Sequence, residues 1–180
     1  MQDKTSLRKA LLEKRSSISL RSRCAKSRRI LQKLSREPVF QRAEHVAFYY
    51  GISPEVETKP FLKHILKDKT IYLPRIGPQR SLTLGRVRSL SRGLEKNAYN
   101  IMEPKAFCEK RAAARMDVII VPGVAFDKRG GRLGRGGGYY DRLLRRSKKV
   151  VKIGLCFREQ IVKKVPMTAR DVRVDRVITD

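Results

Sequence analysis

The chain has 180 residues, of which 41% are hydrophobic, which is enough for one globular domain with a buried core. Its formal charge of +26 predicts attraction of anions, either nucleic acid or small molecules that carry phosphate or carboxylate groups. We expect no bilayer-spanning or hydrophobic signal segment. The three cysteines are far apart and have no histidine at ligand spacing, so we expect neither a disulfide framework nor a zinc site. We therefore expect a cytoplasmic location.

The first half of the chain predicts helices and short strands. Two basic amphipathic helices are predicted over residues 4–16 and about 22–36, within an N-terminal part, 1–37, that packs on the rest of one domain spanning 1–180. An apolar strand follows over Val46–Tyr50, and Thr58 is a suitable cap for a helix over 59–66.

The second half predicts more strands and a helix. The strands are expected at 71–74, 81–87, 117–122, 150–155 and 176–179, with an irregular stretch around Tyr99 to Pro104 and a helix over 140–146. Strands that alternate with helices predict a single α/β domain, with a largely parallel sheet and helices on both faces.

A glycine-rich segment separates the strand at 117–122 from the helix at 140–146. Six of the nine residues from Gly130 to Gly138 are glycine. A strand, a glycine loop and a helix in this order are typical of a phosphate site, and Arg132 and Arg135 add positive charge. The loop matches neither the P-loop nor the dinucleotide motif, and a flexible surface hairpin is the alternative interpretation.

Several separated motifs resemble those of the 5-formyltetrahydrofolate cyclo-ligase family, in the family's order and over nearly the whole chain. They are Lys4-x-x-x-Arg8, Pro54-Glu-Val-Glu-Thr58, Ile101-Met-Glu-Pro104, Val121-Pro-Gly-Val-Ala-Phe-Asp127, Arg132-Leu-Gly-Arg-Gly-Gly-Gly-Tyr-Tyr-Asp141 and the segment from Val165-Pro to Asp171. The resemblance implies ATP- and magnesium-dependent cyclisation of 5-formyltetrahydrofolate to 5,10-methenyltetrahydrofolate, with release of ADP and phosphate. The formyl oxygen attacks the γ-phosphate, the folate's second nitrogen attacks the activated carbon, and phosphate leaves.

The resemblance also implies a nucleotide site. Lys4 and Arg8, which share one helical face, clamp the phosphates, and the residues that wrap the triphosphate are Arg132, Leu133, Gly134, Arg135, Gly136, Gly137, Gly138, Tyr139 and Tyr140. Arg135 is the expected catalytic residue, because a guanidinium suits phosphate geometry and keeps its proton. Considered without the resemblance, Lys4 and Arg8 would be interpreted as solvated surface charges.

Metal and folate sites are implied in the same way. Asp141 and Asp171 match the magnesium ligands, and the residues that match the folate site are Tyr50, Glu55, Tyr99 and Tyr140. From the residues alone, Asp141 could instead be favoured by a helix dipole, Asp171 could be a turn residue, and a lone tyrosine is more often core or surface filler.

Two positions depart from the family's pattern. Gly137 lies where many members have a lysine that contacts phosphate, so other basic residues are expected to supply some of that charge. Arg170 stands where many members have histidine, next to the proposed metal ligand Asp171, and it could either strengthen triphosphate binding or compete with magnesium.

Two alternatives to the cyclo-ligase remain from the sequence. One is a non-catalytic family member that binds folates, and the other is a nucleic-acid-binding protein, which the high charge suggests but no recognisable motif supports. The expected partners are therefore ATP and a folate, which the basic surface would favour in polyglutamylated form. No specific nucleic acid and no membrane are expected, and the protein is expected to be a monomer.

Overall fold

The computed structural model describes residues 3–180, so the first two residues of the predicted segment 1–37 lie outside the described residues. The helices are α1 (Lys4–Ser16), α2 (Leu20–Ser35), α3 (Pro38–Arg42), α4 (Lys59–Ile65) and α5 (Tyr139–Arg145). The strands are β1 (His45–Ala47), β2 (Thr70–Gly77), β3 (Ser81–Val87), β4 (Leu94–Lys96), β5 (Met102–Pro104), β6 (Lys110–Arg111), β7 (Val118–Val121), β8 (Ala125–Asp127), β9 (Arg132–Leu133), β10 (Val151–Cys156), β11 (Ile161–Val162) and β12 (Arg176–Thr179).

A seven-stranded sheet in the order β12-β10-β7-β1-β2-β3-β6 forms the centre of the molecule. The five strands from β12 to β2 are parallel to one another. At the edge beyond β2, β3 pairs antiparallel with β2, and β6 pairs antiparallel with β3. The predicted α/β class and the largely parallel sheet are confirmed.

Helices cover both faces of this sheet, as predicted. Successive residues of β7 point to opposite faces, so Val118 and Ile120 pack in one core cluster and Ile119 and Val121 in another. The first cluster contains residues of α2 and α4, and the second contains Leu143 and Leu144 of α5. Strand β7 is therefore buried on both sides, which explains its uninterrupted apolar sequence.

The chain reverses its direction of travel across the sheet between β1 and β7. From β1 it crosses through α4 to β2 on one side, whereas β7, β10 and β12 lie in succession on the other side. In open parallel sheets, ligands bind in the crevice that such a reversal leaves at the carboxyl ends of the strands. The fold therefore places a crevice beside Tyr49 and Tyr50, which follow β1, and beside Pro122 and Gly123, which follow β7.

Several predicted boundaries are wrong in detail. The strand predicted over residues 46–50 ends at Ala47, because the Tyr49 carbonyl accepts a hydrogen bond from Thr58 Oγ1 at 2.9 Å instead of continuing the ladder. Strand β2 runs past the predicted end at Pro74, because pairing with β3 continues to Gly77. The stretch predicted to be irregular around Tyr99 forms the β4–β5 hairpin.

The N-terminal helices pack on the sheet and its flanking segments. Asp3 caps α1 by accepting hydrogen bonds from the N–H groups of Thr5 and Ser6. Leu7 and Leu11 of α1 join a small core with residues of β8 and β9, and α2 buries Ile30 and Leu34 in the main core. No helix within residues 3–180 is long and apolar enough to cross a membrane.

Candidate active site

A cavity of about 660 Å³ lies at the crevice between β1 and β7. The residues that the sequence predicted for nucleotide, metal or folate all line it: Lys4, Arg8, Tyr50, Glu55, Tyr99, Asp171 and the run 132–141. These residues come from segments that are far apart in the chain, and the fold brings them to one place. Their individual chemical roles stay predictions.

The glycine-rich segment divides into two parts. Gly130 and Gly131 form the turn of the β8–β9 hairpin, in which the Gly130 N–H donates to the Asp127 carbonyl at 3.0 Å. The direct order of strand, loop and helix is therefore wrong, because this hairpin intervenes. Asp127 followed three residues later by Gly130 is a pattern typical of a tight turn, and it could have revealed the hairpin.

The second part of the segment, residues 134–138, lines the cavity and leads into α5. Gly136 and Gly138 have φ angles of +105° and +68°, which side chains with a Cβ rarely adopt. The Arg8 Nε donates to the Gly134 carbonyl at 2.9 Å, so α1 holds this loop from its amino-terminal side.

Arg132 is a buried cation beneath the loop. Its side chain is 3% exposed, and its Nη2 pairs with Asp141 Oδ2 at 2.9 Å. Its Nη1 donates to the Pro122 carbonyl at 3.3 Å, and its Nε has no hydrogen-bond partner among the described residues. The guanidinium lies 5.8 Å from the centre of the Tyr140 ring, so Arg132 connects the loop to the floor of the cavity.

Lys4 and Asp171 form the second ion pair of the cavity. Their Nζ and Oδ2 atoms are 2.5 Å apart, and the same Oδ2 accepts hydrogen bonds from the N–H and hydroxyl of Thr168. Burial alone would raise the pKa of Asp171, but these bonds outweigh it and hold that pKa below its ordinary value. Asp171 is therefore a carboxylate at neutral pH.

Arg135 and Glu55 form the third ion pair, across the mouth of the cavity. The Arg135 Nη2 and Nε donate to Glu55 Oε1 at 3.0 and 3.3 Å. The Arg135 side chain is 53% exposed, whereas the Glu55 side chain is only 13% exposed. The arginine is therefore the more movable partner of this pair.

Two tyrosines lie near Glu55, of which Tyr49 is buried and Tyr140 is partly buried. Burial raises the pKa of Tyr49 and Tyr140 above the ordinary value, and the Glu55 carboxylate adds to the rise in both. Both phenols therefore keep their protons and are hydrogen-bond donors. Tyr49 was missed from the sequence, although it directly precedes Tyr50 at the end of a predicted strand.

Arg15 is a second residue that the sequence reasoning missed. It is 1% exposed, its Nη1 donates to the Gly123 carbonyl at 3.4 Å, and its Nε and Nη2 have no partner within residues 3–180. Burial lowers its pKa, and the charge of Glu55 opposes that effect. Since residues 4, 8 and 15 share one face of a helix, helical spacing could have placed Arg15 with the clamp.

The β4–β5 hairpin forms the outer wall of the cavity. Tyr99 lies near its tip and is 69% exposed. The buried carboxylate of Glu103 holds the hairpin, because its Oε2 accepts from Asn97 Nδ2 at 3.2 Å and from the Ile76 N–H at 3.1 Å. The apolar side chains of Ile101 and Met102 complete a surface suited to a flat ring system.

Comparison with known proteins identifies the family. The 5-formyltetrahydrofolate cyclo-ligase family model matches residues 1–180, the whole chain. The chain belongs to this family. The 5-formyltetrahydrofolate cyclo-ligase of Mus musculus is 32% identical over an alignment that covers 97% of this chain and 92% of the mouse protein. That of Haemophilus influenzae is 33% identical over 73% of each chain.

Solved structures of family members have the same fold. The NMR structure of 5,10-methenyltetrahydrofolate synthetase from Aquifex aeolicus superimposes with a TM-score of 0.88 and is 38% identical, over 97% of this chain and 88% of that one. The 5,10-methenyltetrahydrofolate synthetase from Mycoplasma pneumoniae gives a TM-score of 0.81 over 99% of both chains at 24% identity, which supports the fold alone.

The family's predicted magnesium site was tested against the carboxylates present. No group of three or more His, Cys, Asp or Glu within residues 3–180 is arranged to hold a metal. Magnesium commonly takes only one or two protein carboxylates, with phosphate oxygens and water as its other ligands. Two carboxylates without a complete protein cage are the donor set expected for an ion that binds together with a phosphate, and the assignment of Asp141 and Asp171 to magnesium stays a prediction.

The two departures from the family's pattern have different surroundings. A Cβ at Gly137 would lie 2.6 Å from the Tyr139 ring, so any side chain there requires that ring to shift. The nearby Arg142 Nη1 donates to the carbonyls of Gly137 and Gly138. Arg170 is exposed and is not among the described residues that line the cavity.

Proposed function

We propose that this protein catalyses the cyclisation of 5-formyltetrahydrofolate to 5,10-methenyltetrahydrofolate, with ATP converted to ADP and phosphate. The observation that carries the proposal is that the family's predicted nucleotide, metal and folate residues line one cavity in a chain that the family model matches throughout. The cavity holds four cationic side chains, those of Lys4, Arg8, Arg132 and Arg135, on its phosphate side.

The reaction requires the positioning of two substrates and stabilisation of charge on a transferred phosphoryl group. The formyl oxygen forms a bond to the γ-phosphorus as the bond to ADP breaks. The second folate nitrogen then attacks the activated carbon, and phosphate leaves with the former formyl oxygen. Arg135 is the proposed catalytic residue, because its guanidinium is at the mouth of the cavity and is exposed enough to follow the phosphoryl group.

The folate is proposed to lie against Tyr50, Glu55, Tyr99 and Tyr140. Glu55 is a largely enclosed carboxylate that can accept hydrogen bonds from ring N–H groups, and the protonated Tyr140 phenol can donate one. Tyr99 lies on the hairpin wall, where its ring can pack on a flat ligand.

Magnesium is proposed to be held by Asp141 and Asp171 together with the triphosphate, and when bound it supplies neutralisation of phosphate charge. In this structure Arg132 and Lys4 occupy these carboxylates. With a metal bound there, Lys4 and the buried Arg132 would direct part of their hydrogen bonding to phosphate oxygens without leaving their positions.

The remaining parts of the proposal concern partners and location. We propose that the protein is a monomer and that its partners are small molecules alone. We also propose a cytoplasmic location, which the three free cysteines support. A preference for polyglutamylated folate stays a prediction, and its measurement is the ratio of kcat/KM for pentaglutamyl and monoglutamyl substrate at low and high salt.

The test is a spectroscopic assay with purified protein, ATP, magnesium chloride and 5-formyltetrahydrofolate. The proposal predicts growth of the near-ultraviolet absorbance of the methenyl product only when all four are present. Binding of the folate, measured by calorimetry, without any product over a range of pH and metal would contradict catalysis and favour a non-catalytic folate-binding protein.

A further inference from the structure

The Glu55–Arg135 ion pair joins the two proposed subsites. Glu55 belongs to the folate side and Arg135 to the phosphate side, yet the arginine directs both its Nε and its Nη2 to one oxygen of that carboxylate. We propose that this pair is an exchange contact that couples the two substrates: each substrate displaces the pair, and whichever binds first spares the second the cost of breaking it. The inference rests on the proposed function of the cavity.

The exposure of the two partners determines which of them moves. The Arg135 side chain is 53% exposed and lies on a loop, next to Gly136, which has a positive φ. The Glu55 side chain, by contrast, is largely enclosed. The Arg132–Asp141 pair is different, since its arginine is 3% exposed and also bonds the Pro122 carbonyl. The Glu55–Arg135 pair can therefore open at low cost, while the Arg132 side chain stays in place.

Glu55 keeps some positive surroundings when Arg135 leaves. The buried Arg15 guanidinium interacts with the Glu55 charge, and two of its nitrogens have no hydrogen-bond partner among the described residues. The Glu55 Oε2 also accepts a long hydrogen bond of 3.4 Å from the Ile52 N–H. The carboxylate therefore remains a competent acceptor for the folate after the exchange.

The thermodynamic consequence is positive coupling of limited size. Since both substrates compete with the same intramolecular pair, the pair is broken once when both bind rather than twice. Coupling between two ligands is reciprocal, so each substrate must tighten the other by the same factor. For an ion pair with one exposed partner, that factor is about two- to fivefold, and it shrinks as salt rises.

The decisive test uses variants that break the pair while each subsite is measured alone by titration calorimetry. Glu55→Gln removes a carboxylate from the folate side, and we expect it to tighten binding of a non-hydrolysable ATP analogue about two- to fivefold. Arg135→Gln removes a phosphate-side cation, and we expect it to tighten binding of 5-formyltetrahydrofolate by a similar factor. Thermal unfolding of each variant checks that the fold is intact.

Two controls separate exchange from a change in the overall electric field. Glu109→Gln breaks another carboxylate–arginine pair of 3.0 Å, with Arg86, outside the cavity lining, and should leave nucleotide affinity unchanged. Glu55→Gln added to Arg135→Gln should have no further effect on the ATP analogue. A field effect would instead persist in this double variant, and it would weaken rather than tighten the anionic folate in Arg135→Gln.

Failure of the inference and failure of the proposed function give different results. Unchanged or weaker nucleotide binding by Glu55→Gln, or equal effects of that change with and without Arg135, would overturn the exchange while the proposed function stands. If the ATP analogue and the folate fail to bind the unaltered protein, the proposed function is wrong and the exchange falls with it.

Discussion

Asp127 is expected to make a large and pH-dependent contribution to stability. Asp127 is 3% exposed. Its Oδ1 accepts hydrogen bonds from the N–H groups of Arg129 and Gly131 at 2.8 and 2.9 Å, and its Oδ2 accepts one from the Val165 N–H at 2.8 Å. These bonds close the β8–β9 turn and tie it to the segment that leads to Asp171. The perturbation is Asp127→Asn, which keeps the shape and removes the charge.

The cost of Asp127→Asn follows from those three bonds. The amide can keep its oxygen toward Arg129 and Gly131, but its NH₂ group then opposes the Val165 N–H. Loss of one hydrogen bond to a charged group costs about 1.5–3 kcal/mol, and the other two bonds weaken when the charge is removed. The free energy of unfolding at pH 7 should therefore fall by roughly 3 kcal/mol, a large share of the 5–15 kcal/mol typical of a domain.

The pH dependence has a definite sign. Burial alone would raise the pKa of Asp127, but the backbone hydrogen bonds from Val165, Gly131 and Arg129 outweigh it and lower that pKa from 3.8. A depressed pKa gives stability that is fully present above about pH 4 and is lost as pH falls through the folded-state pKa. The difference between the unaltered protein and Asp127→Asn should therefore be constant near neutrality and shrink below pH 4.

Urea unfolding monitored by circular dichroism, at several pH values from 7 to about 3, measures this difference. Asp68→Asn is the control, because Asp68 is exposed, and its effect should stay within about 0.5 kcal/mol at every pH. If Asp127→Asn costs less than about 1 kcal/mol at pH 7, or if its effect does not change with pH, the reasoning from these hydrogen bonds is refuted.

Three further changes test the cavity. Arg135→Ala should slow turnover about a hundredfold or more, because it removes a cation that stabilises the transition state. The unfolding midpoint should change little, because the Arg135 side chain is exposed. Full activity in a folded variant would remove Arg135 from the chemistry. Arg15→Met should leave the unfolding free energy unchanged or raised, because an apolar side chain replaces a buried guanidinium of which two nitrogens have no partner within residues 3–180. The folate KM should rise several-fold, and Arg15→Lys should restore part of it. A destabilised variant with unchanged KM would indicate a purely structural arginine. Gly136→Ala should weaken nucleotide binding by about tenfold in titration calorimetry, because the φ of +105° at this position costs alanine about 1–3 kcal/mol. Unchanged affinity would show that this conformation is not required.

Part of this fold could be predicted from local sequence patterns. The uninterrupted apolar run of β7 marks its strand, because a strand buried on both faces has no polar positions. The alternation of Leu82 and Leu84 with polar residues marks the first part of β3. The β4–β5 hairpin escaped prediction because each strand has only three residues, too few for a period to show. The β8–β9 hairpin escaped because β9 has only two residues, Arg132 and Leu133, between the turn glycines and those of the loop.

The site was predictable in membership but not in its internal pairing. The motifs identified which residues lie together, and the order of strands placed them at one crevice. The ion pairs of Glu55 with Arg135 and of Lys4 with Asp171 join residues 80 and 167 positions apart, so no local pattern indicates them. Arg15 lies on the same helical face as Lys4 and Arg8, but the sequence does not mark it as buried, because many other basic residues surround it.

The most direct test of the account follows the formyl oxygen. The substrate is 5-formyltetrahydrofolate labelled with ¹⁸O in the formyl group, incubated with the protein, ATP and magnesium, and the released phosphate is analysed by mass spectrometry. The account predicts one ¹⁸O atom in phosphate for each methenyl product formed, because the formyl oxygen attacks the γ-phosphorus and leaves with it. Methenyl product accompanied by unlabelled phosphate, or no product at all, would contradict it.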